Sequence, residues 1–180
     1  ECSQIMSDLF EQNNFLRIVY ANGYFFEDNS IGRTIQSHLP RLLSWSVDHI
    51  RARLFENIPM LSISCSVMRR DFFLEIWWFD DRYQSNDWIL NIRIVNSISS
   101  PKAISYILDP VFAYRMHPAN ISKNQDRMIG LLTEVVENYF PWKYKMQWYS
   151  NIFFTVSLNY LIQAEYKKSR KAIKKSLQSQ

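Results

Sequence analysis

The pattern of apolar residues changes character once along the chain, near residue 124, and this limits the fold more than any single motif. Before that point, short β-branched and aromatic runs alternate with stretches of helical spacing. After it, helical spacing continues alone to the end. The reading is a mixed α/β body over 1–123 and a helical C-terminal extension over 124–180. In the body, Ile5, Met6, Leu9 and Phe10 mark a helix over 3–12. Phe15 to Ala21 reads as a buried strand, Asn22-Gly23 as a tight turn, and Tyr24 to Glu27 as a short return strand. Pro40 and Pro59 argue for a loop region over 28–60 with one helix near Leu42 to Phe55. Ser62 to Met68 reads as a strand, and Asp71 as the cap of a helix reaching about Ile76. Asn86-Asp87 opens a helix through about Val95, and Asp109-Pro110 divides two strands, Ala103 to Leu108 and Val111 to Met116. In the extension, a helix over Asn124 to Tyr139 is interrupted at Pro141 and followed by one long helix from Trp142 to Leu177.

Composition removes several functions. The chain has three glycines, Gly23, Gly32 and Gly130, no two of them close, so no Gly-rich phosphate loop exists in it. Cys2 and Cys65 form no metal spacing and no redox pair, which points to a reducing compartment. The net charge of +4 is uneven: residues 164–180 hold six Lys and Arg against Glu165, which is +5 and leaves −1 for the rest. A nearly neutral body is not the electrostatic footprint of a nucleic-acid binder. The basic tail reads either as a solvated helix end or as a peripheral contact with anionic lipid. No uninterrupted apolar stretch reaches membrane-spanning length, and no signal peptide is evident, so a cytoplasmic, membrane-associated place is the expectation. Asn120-Ile121-Ser122 fits a glycosylation acceptor, a triplet common by chance. Glu1 opens directly into a helical run, as expected for a piece of a longer chain.

Four segments in order carry more information. SVMRRDFF (Ser66 to Phe73) is a strand ending in a basic pair, and WWFDDRY (Trp77 to Tyr83) is an aromatic-acid turn. NDWILNIR (Asn86 to Arg93) starts a helix with an acid, and YRMHPANIS (Tyr114 to Ser122) ends a strand in Tyr-Arg-x-His. Together with IVYANGYFFED (Ile18 to Asp28) upstream, this order and spacing resemble the second half of the catalytic domain of family 2 glycosyltransferases, over about residues 1–124. The resemblance implies a partial GT-A, nucleotide-diphospho-sugar transferase-like fold followed by C-terminal helices. It also implies a nucleotide-sugar donor, a glycan or lipid-linked acceptor of a cell-envelope polysaccharide, and transfer with inversion.

In that chemistry a carboxylate takes the proton of the attacking hydroxyl, and Asp87 stands in the position of the base. Taken alone, Asp87 reads as a helix cap. Asn86 and Trp88 stand on the acceptor side, and Arg115 and His117 on the donor diphosphate side, with His117 also a metal ligand candidate; taken alone, Arg115 reads as the partner of a carboxylate within the fold and His117 as a surface residue at a strand end. A divalent metal, Mg or Mn, is implied, held mainly by an upstream Asp-x-Asp. No such motif precedes the first matched strand, so the 180-residue chain is expected not to transfer sugar by itself. Three departures stand out: Asn86 replaces a frequent acid, Ile89 a frequent Asp, and Trp77-Trp78 fill positions where Gly is common. Asn86 and the Trp pair favour a second reading, a non-catalytic remnant that binds or scaffolds. A third, a helical interaction module, rests on 124–180 alone.

Overall fold

The computed structural model describes residues 2–27, 30–34, 46–56, 63–117, 120 and 124–178 of the 180. The chain is mixed α/β, with the order α1 (Cys2–Gln12), β1 (Ile18–Glu27), β2 (Ser30–Thr34), α2 (Val47–Glu56), β3 (Ser66–Met68), α3 (Arg70–Glu75), α4 (Asn86–Ser97), β4 (Ile104–Arg115), α5 (Gln125–Tyr139), α6 (Trp142–Ile162) and α7 (Tyr166–Gln178). It divides into two compact units, one of Glu1–Arg51 with Pro59–Asn120 and one of Ala52–Ile58 with Ile121–Gln180, so the division falls inside α2. No helix among the described residues is long and apolar enough to cross a membrane.

The first unit is built on β1. One edge of β1 pairs parallel with β4 along nearly its whole length; the other pairs antiparallel with β3 over Ile18–Tyr20 and with β2 over Tyr24–Glu27. Ile18, Val19, Tyr20 and Ala21 are fully buried because β1 is central, and α4 covers the sheet with Trp88, Ile89, Leu90, Ile92, Ile94 and Val95 buried. The Tyr20 hydroxyl, fully buried, donates to Asn91 Oδ1 at 3.1 Å, tying α4 to the centre of the sheet. Burial pushes the Tyr20 phenol far above its ordinary pKa, and the Cys65 thiol adds to the shift. A buried phenol needs such an acceptor, since an unmet hydroxyl costs about 1–3 kcal/mol.

Two expected turns are absent. Asn22-Gly23 is not a hairpin turn, because β1 runs straight through it as a bulge: the register against β4 shifts on both sides of Asn22. Asn22 Oδ1 accepts from the Gly23 N–H at 2.9 Å and Nδ2 donates to Leu108 O at 3.2 Å, so the side chain supplies the bonds that the disturbed ladder loses. Glycine leaves room there for the Phe112 ring: a Cβ on Gly23 would lie 2.3 Å from Phe112 Cε1 and would displace it. Asp109-Pro110 likewise does not divide two strands. β4 is continuous, and Pro110 sits opposite Asn22 at the bulge, where a missing N–H costs least. Asp71 does not cap α3; the cap position is Arg69, and the Asp71 carboxylate accepts from the adjacent Phe72 N–H. The loop expected over 28–60 falls partly outside the described residues, with α2 beginning at Val47.

Arginines serve the first unit as helix-end staples. Arg69 donates to Leu16 O and Phe10 O at 2.8 and 2.7 Å, closing the end of α1. Arg51 donates to Val95 O and Ile98 O at 3.0 and 2.8 Å, closing the end of α4. A planar guanidinium satisfies several orphan carbonyls at once, which an ammonium does less well.

The second unit is helical. Phe55 packs edge-on against Phe140 and stacks on Tyr144, with ring centroids 4.8 and 5.1 Å apart. The expected single helix over Trp142 to Leu177 is two. Gln163 is the C-cap of α6, Ala164 takes a left-handed φ of 57°, and α7 folds back along α6. Ser169, Ala172 and Ser176 are the buried stripe of α7, and Ser176 Oγ donates to Ser150 O at 2.9 Å. Small side chains let the two helix backbones come close.

Candidate functional site

The residues implied by the motif order lie on two elements of the first unit. Asp87 is the second residue of α4, with its carboxylate exposed and Oδ1 accepting from the Trp88 N–H at 2.8 Å. Ser85, not Asp87, holds the cap position, and it makes no side-chain cap bond. The Asp87 carboxylate therefore stands in the first turn of α4, at the positive end of the helix dipole. Trp88 is 2% exposed, so it belongs to the core and fixes the start of α4 from below. Asn86 Oδ1 is shielded and has no hydrogen-bond partner among the described residues.

Arg115 ends β4 and His117 follows it, both exposed. This strand end is pinned in two ways. The Met116 N–H donates to Phe26 O at 2.7 Å, and Asn120 folds back so that Nδ2 donates to Arg115 O at 3.2 Å and its N–H to His117 O at 3.1 Å. Asn120 is 9% exposed, and Nδ2 is the atom a glycan would join, so its geometry opposes the glycosylation reading.

The end of α4 leads through Pro101–Ala103 into the start of β4, so the start of α4 faces the carboxyl side of the β1–β4 pair, the side where open α/β sheets bind ligands. Asp87 and Arg115 share that side without forming one cluster. A twelve-residue helix covers ~18 Å and a twelve-residue strand ~40 Å, so β4 outruns α4. No hydrogen bond or ion pair joins Asp87 to Arg115 or His117 among the described residues. The same residues contain no group of three His, Cys, Asp or Glu able to hold a metal, and His117 alone is one donor. The residues present therefore do not make up the implied metal site. A cleft of about 480 Å³ lined by Arg17, Glu75, Ser97 and Lys102 opens at the far end of α4, away from Asp87.

Motif order marked the turn that leads to α4, WWFDDRY, but not what holds it. Ile76 caps α3, the Trp77 N–H donates to Leu74 O and the Trp78 N–H to Phe73 O, the bond pair of a Schellman ending. Trp77 thus occupies the left-handed position that glycine ordinarily fills, with φ 63°, and Trp78 follows at φ 29°. Arg93, from α4, donates to Trp77 O and Trp78 O at 2.7 and 3.1 Å and to Asp80 Oδ2 at 2.9 Å. Arg82 grips the same buried carboxylate through Nε and Nη2, both at 2.8 Å. Asp80, 7% exposed, is thus a structural anion between two guanidinia. Opposite charges at Asp80 and Arg93, in a turn and on the following helix, were the available signal.

No protein-family model matches the chain, and no curated protein matches it.

Proposed function

We propose that this chain is the acceptor-side part of a family 2 glycosyltransferase of GT-A fold, working within a longer protein. One observation carries the reading. An exposed carboxylate, Asp87, stands in the first turn of a helix that begins on the carboxyl side of a parallel strand pair, with its core side locked by Trp88. A base held at that point accepts the proton of an acceptor hydroxyl as it attacks the donor's anomeric carbon. Asn86 lies beside it, and Arg115 and His117, on the pinned end of β4, provide donors toward a diphosphate. A divalent metal would neutralise the leaving diphosphate, and its ligands belong to residues other than those described.

The test is metal-dependent transfer from sugar nucleotides by the longest natural chain that contains this sequence. Asp87→Asn should lower kcat by roughly 10²-fold or more and leave donor binding unchanged. Donor binding with no transfer by the unmodified protein would put the binding-module reading in its place. The left-handed Trp77-Trp78 pair, where the resemblance expects glycine, favours that second reading.

A further inference from the structure

The α6–α7 hairpin presents an apolar face on which nothing packs among the described residues, beside the most basic segment of the chain. Phe154, Leu158, Leu161 and Ile162 recur at helical spacing on α6 and are 45–83% exposed. On α7, the buried stripe Ser169, Ala172 and Ser176 divides two flanks. Lys168 and Lys175 lie on one flank, over the Tyr160 and Phe153 rings at 5.3 and 5.1 Å. Tyr166, Ile173 and Leu177 lie on the other, 67, 38 and 65% exposed. With about 100° of rotation per residue, Phe154, Leu158 and Leu161 leave α6 on that second side. The apolar residues of the two helices therefore form one continuous strip, and Lys167, Arg170 and Lys174 border it on the outer side of α7.

Charge identifies what would cover such a strip. From Trp142 to Gln178 the hairpin holds eight Lys and Arg and a single acid, Glu165, paired with Lys168 at 2.6 Å; Lys145 is paired with Glu137 of α5, so the basic excess lies on α7, which carries six of the eight. A protein partner of ordinary surface would not meet so uniform a field, and a nucleic acid offers no place for Phe154, Leu158 and Leu161. A surface both anionic and apolar at shallow depth is a bilayer containing acidic lipid. Neither α6 nor α7 can cross it, so the geometry is one of lying on the membrane.

We infer that the α6–α7 hairpin seats on anionic membrane, the apolar strip entering the headgroup boundary and the lysines of α7 meeting lipid phosphate. The inference does not depend on the transfer reading, although it would bring that enzyme to lipid-linked acceptors. It is tested by sedimentation of the whole chain with phosphatidylcholine vesicles, with and without phosphatidylglycerol. Binding should require phosphatidylglycerol and weaken with salt. The variant K167E/R170E/K174E and the charge-neutral variant F154S/L158S/L161S should each lower the partition coefficient by more than about tenfold with helix content unchanged by circular dichroism. The salt series on the unaltered chain stands even if a variant misfolds. No sedimentation with phosphatidylglycerol vesicles overturns the inference. So does binding that the serine variant leaves intact, which is the behaviour of a plain polycation. A dimer in analytical ultracentrifugation that the serine variant dissolves, with vesicle binding unchanged, would assign the strip to a second copy of the chain and overturn it too.

Discussion

Two helices in this protein, one in each unit, end in the same way without the residue that usually makes the ending possible. At the end of α3, Trp77 takes the left-handed position; at the end of α6, Ala164 does, with Ala164 N–H to Leu161 O at 3.0 Å and Glu165 N–H to Tyr160 O at 2.8 Å. A side chain in that conformation costs about 1–2 kcal/mol relative to glycine. The supports differ. Trp77 is held by a guanidinium reaching from another helix and backed by a buried carboxylate. Ala164 is held by the next helix, since α7 packs its small stripe directly onto α6. The first ending is held by charged groups reaching across the turn and the second by close packing of small side chains, so each should fail under a different substitution.

Arg93→Ala should have the largest effect. It removes one of the two guanidinia that hold Asp80, 6% exposed at its side chain, and frees the carbonyls of two left-handed residues. A loss of about 2–3 kcal/mol is expected in urea unfolding, at the low side of broken buried ion pairs because Arg82 remains. Arg93→Lys should recover part of it, since an ammonium keeps the charge but not the fork. Amide exchange should locate the loosening in α3 and the start of α4, with α6 and α7 unchanged. An equal loosening of α6 would break the comparison.

Ala172→Leu is the counterpart in the second unit. Ala172 is 6% exposed in the stripe that lets α7 approach α6, and a larger side chain there should cost about 1–3 kcal/mol, felt as faster exchange in α7. If Ala172→Leu leaves the Ala164 ending protected, packing is not what holds it.

These two endings also show what a sequence discloses. The start of α4 was legible because Asn86-Asp87 precedes apolar residues at helical spacing, whereas the reading of Asp87 as a base rests on the order of motifs alone and remains the proposal above. The α6–α7 break was not, because Gln163, Ala164 and Glu165 are all good helix formers and the only sign is a buried stripe of small residues on α7. Asn22-Gly23 misled in the opposite direction. It is a strong local turn signal, overridden by nine β1–β4 register pairs and by the Phe112 ring lying over Gly23. The Asp80 anion escaped for a third reason: its meaning depends on Arg93, thirteen residues away, and no local pattern joins them. Pro40 and Pro59, read as marks of a loop, fall outside the described residues.

Alkaline pH tests the α6 ending more gently. The Tyr160 phenol, whose backbone carbonyl anchors the α6 ending, is pushed from its ordinary value of 10.0 up to about 12, by burial first and then by its hydrogen bond to Asp126. A folded-state pKa raised above the unfolded one means that the folded chain holds the proton longer. The stabilisation is complete below pH 10 and is lost as pH rises toward 12. Tyr160→Phe should cost about 1 kcal/mol at neutral pH and flatten this part of the decline in α6 and α7. An unchanged slope in those helices would show that the phenol is not linked to the ending.

The smallest effects are the most direct. Ala164→Gly should stabilise the second unit by about 0.5–1 kcal/mol, the left-handed cost less the extra entropy of an unfolded glycine. Trp77→Gly removes the same backbone cost from the first unit and should gain a similar amount, because the Trp77 side chain is 78% exposed. Any shortfall of Trp77→Gly against Ala164→Gly in urea unfolding then measures what the indole contributes to the free protein. If Trp77→Gly stabilises fully, the indole contributes nothing to folding and its retention in a strained position must be sought in what the turn before Asp87 touches. If it destabilises, the two endings are not equivalent, and the exposed ring shares with Arg93 the work of holding the first one.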